Sequence, residues 1–249
     1  MEEFRAIFGE VEDPRDFNVW HDLFEVLFIA MAACLCGANS YGAFAEFGKA
    51  KEPLLRQFLA LKHGTPSRHT FERVFRRLNP EGLEAALIRF TRELRTALGH
   101  PTAGQVVAMD GKRLRGAYDK GLAHQTPIMV CAYLHQTRLV LGQRQATDCS
   151  ETKGLLQLLQ MVALEGAIVT GDALHCSRTA AQAVRAQQAD YVFTLKGNRS
   201  SLAQDAAALF AKREARAPAV ETLDEAHGRT ERRRAQVIKA PGLARRHRF

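Results

Sequence analysis

The sequence predicts an α+β chain with an α/β second half, in which a helical segment over residues 1–100 precedes a domain with a mixed sheet. Three observations carry this reading. Apolar residues up to Leu98 recur at helical spacing; after Gly99-His100-Pro101 they gather in short runs of strand length; and beyond the third run, helical and strand patterns alternate.

The first element is DLFEVLFIAMAACLC, whose apolar residues fall all round a helix, as in one buried at the centre of a helical domain. SYGAFAEFGKA follows with Phe44 and Phe47 on one face, then EPLLRQFLALKHG, a helix with a glycine stop. Thr65-Pro66-Ser67 supplies a cap and proline ahead of RHTFERVFRRL. There Phe71, Val74, Phe75 and Leu78 form an apolar stripe, with Arg68, Arg73, Arg76 and Arg77 largely off it. That basic face suits either a recognition helix of helix-turn-helix type or an ordinary solvated surface. Pro80 starts another amphipathic helix, PEGLEAALIRFTRELRTAL.

GQVVAMD, PIMVCAYLH and RLVLGQRQA are the three strand-like runs. ETKGLLQLLQMVAL then reads as a helix, GAIVTGD as a strand, SRTAAQAVRAQQ as a helix, YVFTLKG as a strand and SSLAQDAAALFAKREA as a helix. There is no internal repeat and no low-complexity linker.

At 249 residues the chain suits one large domain or two modest ones. Its most apolar stretch, Leu23 to Cys36, is interrupted by Glu25 and falls short of the ~20 residues a membrane span needs. The acidic N-terminus, MEEFRAIFGEVEDPRD, lacks the basic and apolar regions of a secretory signal, so a cytoplasmic protein is expected. The five cysteines (Cys34, Cys36, Cys131, Cys149, Cys176) form no CxxC pair and read as buried free thiols. The formal charge is +8; residues 212–249 carry eleven Lys and Arg against five Asp and Glu. Such a stretch meets a polyanion or is merely solvated.

Two strands, VVAMD and AIVTGD, are apolar on both faces and end in Asp110 and Asp172. Strands of that kind suit a sheet covered by helices, where function collects at the carboxyl ends. If the two are neighbours, their carboxylates repel unless a cation bridges them, and oxygen-only ligands point to Mg²⁺ or Mn²⁺. Alternatively each Asp caps the turn that follows it. Lys112, Arg113 and Arg115 crowd the loop after the first Asp, placed to grip phosphates or simply to be solvated. His175 and Cys176 have no partner His or Cys at ligand spacing, so a soft-metal site is not expected. Cys149-Ser150 has no nearby His, which argues against nucleophilic catalysis.

With these residues in view, the sequence resembles the ISAs-type, or H-repeat-associated, insertion-sequence transposases of the DDE superfamily. The resemblance runs through DPRD, AACLCGANSYGAFAEFGKAKEPLL and GTPSRHTFERVFRRLNPEGLE. It continues with AMDGKRLRGA, LVLGQ, the helix after SETKG, IVTGDALHCS, DYVFTLKGN and HGRTERR. It implies a helical transposase-associated domain over residues 1–100 and an RNase H-like catalytic domain over 101–249, the latter with its first and fourth strands side by side. Asp110 then matches the first catalytic, metal-holding acid and Asp172 the second. Lys196 and Asn198 fall in a loop at the active edge, and with Lys112, Arg113, Arg115, Arg229, Arg232 and Arg233 they are the expected DNA contacts.

The implied activity is DNA strand cleavage and strand transfer using two Mg²⁺ or Mn²⁺ ions. The partners would be the element's ends and target DNA, with a homo-oligomer possible, no membrane, and a place on the bacterial nucleoid when bound. The family's third acid lies in a Trp-rich segment, whereas Trp20 is the one tryptophan here. Glu231 matches a different position, beside Arg232 and Arg233. The ending KAPGLARRHRF therefore reads as a truncated or frameshifted product, and the alternative expectation is an inactive fragment that only binds DNA.

Overall fold

In the computed structural model, which describes residues 2–16, 19–114, 126–146, 150–213, 219–226, 229–247 and 249, six helices begin at a side chain that caps them. A short helix, α1 (Glu2–Phe8), precedes α2 (Leu23–Leu35), which Asp22 caps by accepting from the Phe24 amide. Ser40 caps α3 (Tyr41–Ala50), and α4 (Glu52–Leu55) follows at once. Ser67 caps α5 (Arg68–Arg77), and Asn79 with Pro80 starts α6 (Pro80–Ala97).

The expected central helix is α2, whose Val26, Ile29 and Ala33 are wholly buried. Around it pack Phe44, Phe71 and Val74. No element was expected over residues 2–8. Yet Ile7 and Phe8 are buried, and Phe4 stacks on Phe8 while meeting Phe24, Phe28 and Phe90 edge-on.

Two expectations need correction here. EPLLRQFLALKHG is not one helix, since α4 stops at Leu55. Leu59 and Leu61 both turn into the core, and Leu61 takes a left-handed φ of 41° as its amide donates to Glu25. Nor are the cysteines all buried: Cys34 and Cys36 emerge at the end of α2, Cys131 is half-buried, Cys176 is buried, and Cys149 lies outside the described residues.

The second half contains β1 (Val106–Arg113), β2 (Ile128–Leu134), β3 (Leu139–Gln145), α7 (Glu151–Met161) and β4 (Ile168–Gly171). After them come α8 (Arg178–Ala186), β5 (Asp190–Phe193), a 3-10 turn at Gly197–Arg199 and α9 (Ser200–Arg213). A separate two-stranded ribbon, β6 (Ala219–Ala226) and β7 (Arg229–Gln236), precedes α10 (Pro241–His247).

The five-stranded sheet has the order β3-β2-β1-β4-β5. Within it β1 is antiparallel to β2 and parallel to β4, and β4 is parallel to β5. This mixed sheet has the RNase H-like arrangement, with β1 and β4 adjacent. The helix α7 lies close on the sheet because Gly154 has no side chain; a Cβ there would come within 2.8 Å of Ala146 and 3.0 Å of Val130.

By packing, the chain divides into two units: residues 1–101 with 139–144, and residues 102–138 with 145–249. Among the described residues no helix is long and apolar enough to cross a membrane.

Candidate functional site

Register decides which side chains meet at the carboxyl end of β4. Met109 of β1 pairs with Gly171 of β4, the last pair of that parallel ladder, so Asp110 and Asp172 are the next residues along neighbouring strands. The adjacency the two aspartates require is therefore present. One detail differs from expectation, because β1 does not end at Asp110. It runs on to Arg113 through its pairing with β2, where Asp110 faces Cys131. Lys112 and Arg113 are accordingly strand residues and not part of a loop, paired with Met129 and Ile128. Alternation along the strand places exposed Lys112 on the face of Asp110, and Arg113 on the other.

Asp110 is exposed on β1. Burial and the Asp110 charge both push the thiol of Cys131 up, so this neighbour stays neutral. Asp172 does cap its turn: Oδ1 accepts from the Leu174 amide at 2.8 Å and from the His175 amide at 3.4 Å. Capping and ligation are compatible, since a carboxylate has several lone pairs and the Asp172 side chain is 60% exposed.

The turn that Asp172 caps delivers His175 beneath it. His175 is wholly buried, with Nδ1 3.6 Å from Asp172 Oδ1 and Nε2 3.0 Å from Glu151 Oε1. Glu151 is the first residue of α7, and Ser150 caps that helix by accepting from the Lys153 amide. Two glycines make room. A Cβ on Gly111 would fall 2.1 Å from Glu151 Cδ, and one on Gly171 would meet His175 at 3.0 Å.

One donor atom each from Glu151, Asp172 and His175 therefore lies within 4.8 Å of the others. Two carboxylates and an imidazole fit a divalent cation of the first transition row. Asp110 is not in that cluster. Its side chain leaves β1 on the face opposite Gly111, while Glu151 lies over Gly111.

Glu151 and His175 were missed as site residues. An acidic residue in a helix's first turn is ordinary, and His175 has no His or Cys partner nearby in sequence. Cys176 stays outside the cluster, buried, with desolvation pushing its thiol up against the opposing charge of Arg199. Lys196 is exposed in the loop after β5, at the same sheet edge as Asp172, because Phe193 pairs with Gly171. Arg199, also unanticipated, ties this loop to the turn after Asp172 by donating to the Cys176 carbonyl at 2.9 Å.

Arg115 and the side chains of Asn198 and Arg229 lie outside the described residues. On the ribbon, Arg232 pairs with Glu221, and Arg233 pairs with Asp224 and Glu231. Glu231 is thus held by an arginine in a ribbon separate from the main sheet.

The chain matches two family descriptions: residues 5–91 match the DDE_Tnp_1-associated domain and residues 101–244 the transposase DDE domain. It is 35% identical over 238 residues to an uncharacterised protein in the dhlA 3′ region of Xanthobacter autotrophicus, covering 94% of this chain and 79% of that one. Two H repeat-associated proteins of Escherichia coli K12, whose names carry a provisional transposase assignment, are also similar. YhhI is 28% identical over 90% of this chain and 60% of its own length, and YbfD is 27% identical over 90% and 89%. Among solved structures, the piggyBac transposase synaptic complex with hairpin DNA aligns with a TM-score of 0.36 at 12% identity, covering 90% of this chain and 52% of that one. The Mos1 transposase paired-end complex with the left transposon end gives 0.26 at 12% identity, over 86% and 71%. Neither likeness is close enough to carry weight.

Proposed function

Because this chain belongs to the DDE transposase family, we propose that it is an insertion-sequence transposase that cleaves and joins DNA strands with Mg²⁺ or Mn²⁺ held by Asp110 and Asp172. The observation that carries this reading is the register of β1 on β4, with Met109 opposite Gly171 and an aspartate next on each strand. Two ions of this kind activate an attacking water or 3′-hydroxyl and stabilise the leaving oxygen.

This chain's own residues do the rest. Asp110 and Asp172 would supply the carboxylates that hold the ions, and that of Asp172 is kept in place by the Leu174 and His175 amides. Lys112, on the face of Asp110, and Lys196, beyond β5, meet the phosphates flanking the scissile bond. Arg115, Asn198, Arg229, Arg232 and Arg233 extend that contact along the duplex, and the charge surplus of residues 212–249 supports it. In this reading residues 1–100 form the transposase-associated domain and residues 101–249 the catalytic one. The partners are the element's ends and target DNA, copies of the chain assemble on those ends, and the protein works on the nucleoid in the cytoplasm.

The test is Mn²⁺-dependent nicking and joining of a duplex bearing the element's ends. The chain is expected to be active with Mn²⁺ and silent with EDTA, and Asp110→Asn or Asp172→Asn to abolish nicking while leaving DNA binding in place. Binding without nicking by the unaltered chain, with or without metal, would favour a DNA-binding protein over an enzyme.

A further inference from the structure

We propose that Glu151 and His175 join Asp172 as direct ligands of a divalent transition-metal ion, in a site that prefers Mn²⁺ to Mg²⁺. The proposal rests on the metal-dependent reading above and extends it to two residues outside the aspartate pair.

Three observations support it without any part played by Asp110. First, the donor atoms of Glu151, Asp172 and His175 converge within 4.8 Å, although the residues come from the start of α7 and the turn after β4. Second, His175 is wholly buried and neither ring nitrogen completes a hydrogen bond. Nε2 lies 3.0 Å from Glu151 Oε1 and Nδ1 3.6 Å from Asp172 Oδ1, close but not aligned for donation. A buried imidazole left this way costs free energy unless something else satisfies it, and a cation between the donors does so. Third, the sheet is hollowed under the cluster. Gly111 leaves the space that Glu151 Cδ fills, and Gly171 the space beside the His175 ring.

The donor chemistry sets the ion. Carboxylates alone suit Mg²⁺, but imidazole nitrogen shifts preference toward transition metals. Sulfur is not part of the set, because the converging donors are two carboxylates and an imidazole, with Cys176 outside them.

Mn²⁺ and Mg²⁺ are titrated calorimetrically into the full chain and into Glu151→Gln, His175→Gln, Gly111→Ala, Asp172→Asn and Asp110→Asn. Glu151→Gln is expected to lower Mn²⁺ affinity about tenfold or more. Gly111→Ala should do likewise with every ligand chemically intact. The added Cβ displaces the Glu151 carboxylate, which is the far end of a flexible side chain and can swing aside without unfolding β1. His175→Gln should narrow the preference for Mn²⁺ over Mg²⁺.

If Glu151→Gln and Gly111→Ala bind Mn²⁺ like the unaltered chain while Asp172→Asn loses it, the proposal is overturned and the aspartate reading survives. If Glu151→Gln, His175→Gln and Asp172→Asn all lose Mn²⁺ while Asp110→Asn keeps it, the proposal stands and the aspartate-pair reading fails. Unchanged binding in all five variants overturns both.

Discussion

Glu25 shows how far a single residue's role can lie from its sequence neighbours. It sits in the most apolar helix of the chain, yet it is only 6% exposed, and its carboxylate accepts from the Leu61 amide at 2.7 Å. The bond compensates for burying the carboxylate, and it holds a wholly buried leucine in a left-handed conformation. In the sequence Glu25 was legible only as a break in an apolar run; its partner is 36 residues away. Glu25→Ala should cost about 1–3 kcal/mol by leaving the Leu61 amide buried and unpaired, measured as a shift in the urea midpoint at constant slope. No shift would mean that water replaces the carboxylate. The candidate site residues divide in the same way. Asp110 and Asp172 were legible because an apolar strand followed by an aspartate is a local pattern. Glu151 and His175 were not, because only the docking of α7 brings them together.

Elements were legible where caps and periodicity agree, as in α2, α5 and α6, each begun by a side chain that accepts from the helix's own amides. They were misread where tertiary contacts override local pattern. The helix beginning at Glu52 is cut short by leucines that turn into the core, and β1 continues past Asp110 because β2 still pairs with it. The helix α10 was not expected either, although Pro241 opens it and Arg245, Arg246 and His247 fill its last turn. It is tied to α9 by Asp205, which accepts from His247 at 2.9 Å and from Arg246 at 3.1 Å. Those hydrogen bonds, His247 first, hold the Asp205 carboxyl below its ordinary range. The tether is therefore complete above the usual carboxylate value of about 4 and is lost as pH falls through the depressed one. Hydrogen exchange corrected for intrinsic rates should show α10 amides protected at pH 6 and released only in strong acid, with Asp205→Asn released at both. Equal protection in Asp205→Asn at pH 6 would show that α10 docks without this carboxylate.

At the scale of the whole chain, a helical first half and a mixed-sheet second half were legible from periodicity alone, but strand order was not. Nothing local states that β4 inserts beside β1 and not beside β3, and the resemblance supplied that adjacency. The order β3-β2-β1-β4-β5 makes two aspartates, 62 positions apart in sequence, neighbours at one edge. Charge was legible only in part. The arginines of β7 form a basic row in the sequence, but in the ribbon Arg232 and Arg233 already face acids of β6, which moderates their pull on phosphates.

Whether this edge holds divalent ions can be seen by anomalous diffraction from crystals grown with Mn²⁺. Manganese density is expected within about 2.0–2.6 Å of carboxylate oxygens of Asp110 and Asp172, the range for hard divalent cations on oxygen. Manganese found only elsewhere on the protein, with both aspartates bare, would contradict it.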